Sequence, residues 1–152
     1  MSEGIKIVCE NRKARHNYSI EETYEAGMVL LGTEVKALRD AKANLQDAYA
    51  VIKQGEVFLL NAHISPYTHG NQQNHEPLRT RKLLLKADEI QKLWKKSEIR
   101  GYNLVPLKLY FKNGICKCEL ALGKGKKAFD KRESIKEKDV KRSMDRLKRA
   151  TR

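Results

Sequence analysis

Apolar positions along this chain alternate more often than they recur at helical spacing, and Gly, Asn and Pro punctuate the alternation. A short apolar run, Ile5, Ile7 and Val8, comes first. Tyr18, Ile20, Tyr24 and Ala26 then give a strand one half-buried face, continued by Met28 to Leu31, with Gly27 permitting a bulge or bend between the halves. Ala48 to Lys53 and Glu56 to Ile64 read as two strands around Gln54-Gly55, a tight hairpin. His63 to Pro77, rich in Asn, Gln and His, reads as loop. Leu104 to Phe111 and Ile115 to Leu122 flank Asn113-Gly114, the strongest hairpin signal present. The second of these strands places Cys116, Cys118, Leu120 and Leu122 on one face, and Lys117 and Glu119 on the other. Pro106 has no N–H for a ladder, so its strand is expected at an edge or with a bulge.

Helical spacing appears at two places in this part of the chain. The first helix takes Thr33 as N-cap, Glu34 in its first turn and Val35 and Leu38 on its inner face, ending near Arg39 or Asp40. The second starts at an Asp88 N-cap, carries the stripe Ile90, Leu93 and Trp94, and stops at Gly101. About six strands pairing as neighbouring hairpins, with helices inserted, predict a mainly β fold with α, an OB-like small antiparallel β-barrel with flanking helices. That domain is expected to span residues 1–122.

Charge changes the picture from Gly123 onward. Residues 123–152 hold 13 Lys+Arg against 5 Asp+Glu, so this fifth of the chain supplies +8 of a net +13. Its apolar positions at helical spacing, Ile135, Val140, Met144 and Leu147, form a narrow and uneven stripe. Such a tail is too charged to hold itself against a core, and is expected to be disordered when free and helical in an anionic groove. An anionic partner is therefore expected, while no run approaches the roughly 18–20 apolar residues of a membrane span.

Most catalytic chemistry is disfavoured. Cys9, Cys116 and Cys118 are odd in number and give no disulfide framework, so they read as reduced small hydrophobes of a cytoplasmic protein. His16, His63, His69 and His75 lack metal-ligand spacing, so no metal and no cofactor is expected. Gly123-x-Gly125-x-Lys127 lacks the spacing of a nucleotide-hydrolysing loop, and Glu21, Glu22 and Glu25 have nothing nearby to position a water or a metal. Glu25 instead suits accepting hydrogen bonds from base edges or orienting an Arg. No enzyme is expected. Three basic clusters point to RNA: Arg12, Lys13 and Arg15; Arg79, Arg81 and Lys82; and Lys124, Lys126 and Lys127. His16, Tyr18 and Phe129 add planes on which bases can stack. Composition alone equally permits an OB-type ribosomal protein or translation factor.

Longer motifs go further. Glu10-Asn-Arg-Lys-Ala-Arg-His16, Gly32-Thr-Glu-Val-Lys36, Lys42-Ala43-Asn44, Thr80-Arg-Lys-Leu-Leu-Leu85, Gly125-Lys-Lys127 and Asp130-Lys-Arg132 occur in an order that closely resembles the SsrA-binding protein family, also called small protein B. The resemblance runs from about residue 10 to 138 and becomes compositional beyond about Val140. It implies a bacterial cytoplasmic protein with an OB-like barrel, binding the tRNA-like domain of transfer-messenger RNA (tmRNA) and delivering it to stalled ribosomes. It also implies a tail that folds as a helix in the empty mRNA channel beside the small-subunit decoding centre, elongation factor Tu in the delivery complex, and a monomeric chain. By the same resemblance Glu25 and Leu84 face tmRNA, supported by Arg12, Lys13 and Lys124. His16, Phe129, Asp130, Lys131, Arg132, Ile135 and Lys136 face the ribosome. Two departures stand out. Phe129 stands where many relatives have His or Tyr, which keeps stacking but removes a polar contact. Lys86 stands where some have Asn, which removes an amide.

Overall fold

A computed structural model describes residues 4–67 and 74–126. Among them, nine strands and three helices follow in the order β1 (Ile5–Glu10), α1 (Arg12–Asn17), β2 (Tyr18–Met28), α2 (Gly32–Arg39), β3 (Ala43–Asn44), β4 (Tyr49–Lys53), β5 (Glu56–Leu60), β6 (His63–Ile64), β7 (Arg81–Leu84), α3 (Ala87–Ser97), β8 (Tyr102–Lys112) and β9 (Ile115–Gly125). Every pairing is antiparallel.

Six strands close into a ring, β8 to β4, β5, β7, β2, β9 and back to β8. Closure removes the open edges that a flat sheet of this size would expose. The local turns are those the residues dictate. Gln54 and Gly55 have φ of 53° and 76°, and Asn113 and Gly114 have 52° and 81°, the two left-handed positions of a hairpin turn that matches strand twist. Pro106 sits in a strand paired on both sides, and the register with β9 breaks between Pro106 and Lys108, so the expected bulge is where the missing N–H falls.

Alternate residues of the ring point inward. Val57, Leu59, Leu109, Leu120 and Leu122 are wholly buried, each worth roughly 1.5–3 kcal/mol of apolar burial. Cys116 and Cys118 also face the core; burial pushes the Cys116 thiol up to about 12, so it packs as an uncharged group with Sγ 3.9 Å from Met28 Sδ. A smaller cluster on the outside seats Ala14 of α1 against Val105, Leu107 and Ala121.

One polar cluster lies inside. Glu34 of α2 and Arg81 of β7 are both fully buried, with Arg81 Nε 2.6 Å from Glu34 Oε2. Arg79 Nη2 donates to Glu34 Oε1 at 2.6 Å, and the Leu31 N–H donates to the same oxygen at 2.8 Å. Arg81 Nη1 donates to the Ala62 carbonyl at 2.6 Å, and Nη2 to that of Pro77 at 3.2 Å. These bonds join α2, β7 and the segment after β5 into one unit. Beside them His75 is buried; its Nε2–H donates to the Ile64 carbonyl (2.8 Å), leaving Nδ1 to accept the Thr33 hydroxyl (2.9 Å).

Several expectations are corrected. Arg81 does not present a cation to a partner, because strand alternation sends it inward with Leu83 to neutralise Glu34. Thr33 does not cap α2; its hydroxyl is committed to His75, and Glu34 reaches back to the Leu31 N–H instead. Helix α3 begins one residue before Asp88, and Glu89 caps it by accepting from the Lys86 N–H at 3.1 Å. Trp94 is exposed, and Leu93 carries the burial of α3. The break in β2 falls between Ile20 and Glu22 rather than at Gly27. His63 and Ile64 are not loop but pair with Asn44 and Ala43. The first apolar run is a strand on β8, and the basic segment after it is helix α1. The expected tail helix, with Lys127, Phe129, Asp130, Lys131, Arg132, Ile135 and Lys136, lies outside the described residues.

The buried pair makes a sharp prediction. Arg81→Met leaves Glu34 buried with fewer partners and should cost about 3–5 kcal/mol in urea denaturation at neutral pH. A loss below about 1 kcal/mol would show that the pair is not structural. Burial alone would raise the Glu34 carboxyl, but hydrogen bonds from Arg79, the Leu31 N–H and Arg81 outweigh it and hold it below the ordinary 4.5. The folded value is the lower one, so this contribution is complete above the unfolded value and is lost as pH falls through the folded value. Glu34→Gln should therefore flatten the acid side of the stability–pH profile.

Candidate nucleic-acid interface

Strand β2 links two separate sets of candidate residues. At its start lies α1, whose geometry is set by Asn11. The Asn11 Oδ1 accepts from the Ala14 N–H at 3.2 Å, and Nδ2 donates to the carbonyls of Leu45 (3.0 Å) and Pro106 (3.1 Å). Ala14 is the buried residue of α1, so Arg12, Lys13 and Arg15 project to solvent, with His16 half-buried. The far end of β9 docks at the same place. Tyr18 is registered with Gly125 and Ser19 with Lys124, and the Lys126 N–H donates to the Asn17 carbonyl at 2.9 Å. Lys124 Nζ lies 5.9 Å from the centre of the Tyr102 ring. The segments 12–15 and 124–126, far apart in sequence, thus meet at one end of the ring, with α1 and Tyr18 on its outer face and Lys124 beside Tyr102 on the other. Residues 127–152 continue the chain from that end.

Gly123 makes this packing possible. A Cβ placed there would lie 2.8 Å from Tyr18 Cβ and 3.3 Å from its Cγ. Tyr18 therefore crosses directly over the β9 backbone.

The second set sits seven residues further along β2, about 23 Å away at 3.3 Å per residue. Gly27 is registered with Leu84 on one side and Lys117 on the other. A Cβ at Gly27 would meet Leu84 Cβ at 3.3 Å, so the glycine lets the Leu84 side chain lie close against β2. Leu84 is half exposed, and with the carboxylates of Glu25 and Glu89 and the cations Lys86 and Lys117 it lines a shallow depression of about 540 Å³. Glu25 is not isolated: Lys112 Nζ donates to its Oε2 at 3.4 Å. Such an exposed pair is worth little, so Glu25 can exchange Lys112 for another donor.

Between the two sets β2 is acidic. Glu21 accepts from the Tyr102 hydroxyl at 3.1 Å, while Glu22 pairs with Lys96 and accepts from Tyr24 at 2.8 Å. Hydrogen bonds from Lys96 and Tyr24 hold the Glu22 carboxyl below its ordinary value. The middle of β2 is thus occupied by carboxylates already bonded to neighbouring side chains.

The structure brings together Glu25 and Leu84, and separately Arg12, Lys13, Arg15 and His16; Lys124 and Lys126 reach the same end of the ring, with Lys124 on its other face. It does not bring Arg12, Lys13 or Lys124 near Glu25. The cluster of residues 79–82 splits: Arg81 is inside, Arg79 is bonded to Glu34 and to the Val29 carbonyl, and Lys82 stays at the surface in an exposed pair with Glu56 at 3.2 Å. Among the described residues no group of His, Cys, Asp and Glu is placed to hold a metal, and no helix is long and apolar enough to cross a membrane.

The family model described as SmpB protein matches residues 8–150. The chain belongs to the SmpB family. The SsrA-binding protein of Geobacter sulfurreducens is 59% identical over 141 residues, covering 93% of this chain and 92% of its own length. That of Syntrophobacter fumaroxidans is 57% identical over 151 residues, covering 99% and 94%, and that of Bacillus subtilis is 57% identical over 141 residues, covering 93% and 90%. A solved chain from "tmRNA-SmpB: a journey to the center of the bacterial ribosome" is 50% identical with a TM-score of 0.68, covering 79% of this chain and 85% of that one.

For this SmpB-family chain, reading the sequence missed Asn11 as the buried tether of α1, and Lys117 and Tyr102 as parts of the surface. Asn11 stands immediately before a basic run, a position where an Asn cap could have been read. Lys117 was visible as the outward partner of Cys116 and Cys118. Nothing in the sequence pairs Tyr102 with Lys124. Gly123→Ala tests the patch at α1. It should force Tyr18 aside, cost about 1–3 kcal/mol in thermal or urea unfolding, and change the near-ultraviolet tyrosine signal. An unchanged signal with unchanged stability would show that the close approach is not needed.

Proposed function

We propose that the chain binds the tRNA-like domain of tmRNA and delivers it to stalled ribosomes for trans-translation. Membership of the SmpB family over residues 8–150 carries this reading, and the named relatives and the solved tmRNA–SmpB chain support it. The two ends of β2 suggest how the work divides. The depression at Glu25 and Leu84 offers an apolar contact flanked by Lys86 and Lys117, suited to an RNA backbone and an unstacked base edge. The end at α1 offers His16 with Arg12, Lys13 and Arg15 on one face and Lys124 on the other, and the basic tail departs from it. That end faces the small subunit, the tail entering the mRNA channel when it is empty and helix formation there stabilising acceptance without codon pairing. Elongation factor Tu joins the delivery complex, and the chain acts as a monomeric, non-enzymatic adaptor.

Leu84→Ala should weaken binding of a tRNA-like tmRNA fragment about 5–30-fold, the effect of losing one well-packed contact. Lys86→Gln with Lys117→Gln should lower the slope of log affinity against log salt by up to ~2. An unchanged affinity and slope would move the tmRNA face elsewhere. Replacing Asp130, Lys131 and Arg132 together by alanine should leave that affinity within about twofold, since this reading gives those three residues to the ribosome, and should abolish rescue of stalled ribosomes in a reconstituted translation assay. Loss of RNA affinity in this triple variant would overturn the division of labour.

A further inference from the structure

Beside α1 the ring opens. Strands β4 and β8 share a single registered pair, Ala50 with Leu104, and then diverge. Helix α1 and the turn before β4 wall the gap, leaving a cleft of about 410 Å³, within the roughly 300–1,000 Å³ of small-ligand sites. Its floor is small and apolar: Ala14, Ala48 and Ala50 leave room that longer side chains would fill, with Leu104 and Val105 beneath. Its rim is aromatic and polar. Tyr18 and Tyr49 supply rings, Asn17, Gln46 and Asn103 supply amides, Lys13 a cation and Asp47 an acceptor. Tyr49 is 41% exposed although it begins a core strand.

The walls are held before anything binds. Asn11, itself buried, ties α1 to the carbonyls of Leu45 on one wall and Pro106 on the other, and Gly123 lets Tyr18 lie over β9. A cleft fixed by buried amide bonds loses little ordering entropy on binding.

We propose that this cleft takes one unpaired nucleotide of RNA, splayed out of its strand. The base stacks on Tyr49 and Tyr18, its edge is read by the amides and by Asp47, which suits a base carrying an amino group, and its phosphate lies toward Lys13 and Arg12. Flat apolar walls with a mixed donor–acceptor rim fit a base edge, and cations at the mouth fit the backbone. This deepens the functional reading above and rests on it, because that reading supplies the RNA. On that reading the nucleotide comes from small-subunit RNA; a tmRNA nucleotide shares this chemistry, and finding one here would place tmRNA at the α1 end as well.

The test uses the full chain with either a tRNA-like tmRNA fragment or isolated small ribosomal subunits, each carrying 6-thioguanosine or 8-azidoadenosine, both of which keep an amino group, for photocrosslinking. A crosslink mapped by mass spectrometry to Tyr18, Tyr49 or Asn103 in either arm supports the cleft and names the source. In equilibrium binding to that same RNA, Tyr49→Ala should lose about 5–150-fold and Tyr49→Phe should stay within about threefold, because stacking survives without the hydroxyl. Both variants should keep the wild-type unfolding midpoint. Crosslinks that avoid the cleft in both arms, or a Tyr49→Ala chain that binds both RNAs as wild type does while Leu84→Ala is impaired on tmRNA, would overturn this site and leave the functional reading standing. A wild-type chain that binds neither RNA would overturn both.

Discussion

The antiparallel register of β2 on β9 is the constraint on which the rest of the surface depends. From Tyr18 opposite Gly125 to Gly27 opposite Lys117, it fixes which side chains share each end of the ring. A slip of one residue would turn Tyr18 and Glu25 to the opposite face and separate Leu84 from Gly27. The bulge between Ile20 and Glu22 belongs to this constraint, since it shifts the phase along β2 between the two ends. Register here does the work that a catalytic constellation does in an enzyme: it places groups that never approach one another in sequence.

The buried cluster of Glu34, Arg79 and Arg81 serves the same end indirectly. A closed ring still needs its outer layer fixed to it, and α2 has little apolar surface for that purpose beyond Val35, Ala37 and Leu38. The cluster supplies direction where hydrophobic contact supplies adhesion. Its geometry requires α2, β7 and the carbonyls of Ala62 and Pro77 to arrive together, and β7 carries Leu84 to its place against Gly27.

What could be read in advance follows from how local the cause is. Both tight hairpins were legible because Gln-Gly and Asn-Gly determine their turns within two residues. The Pro106 bulge was legible because a missing donor must appear as a defect in the ladder. Helix α1 was not, since its one buried apolar residue, Ala14, gives no periodicity to read. Arg81 was misread because three cations within four residues suggest a patch, although the alternation of Arg81 with Leu83 already directed it inward. At the interface, residue types were legible and grouping was not. Residues 12–15 and 124–126 join through a cross-strand register that no local pattern encodes, while Glu25 and the residues around Gly27 fall at the far end of the same strand.

The central claim is that the two ends of β2 are separate devices, one for tmRNA and one for the ribosome. The most direct measurement is sedimentation of the full chain with small ribosomal subunits, with and without a saturating tRNA-like tmRNA fragment. The account predicts a ternary complex in which the fragment travels with the subunit and the protein remains bound. Displacement of the protein from the subunit by the fragment, in proportion to its concentration, would show that both partners compete for one surface and would contradict the account.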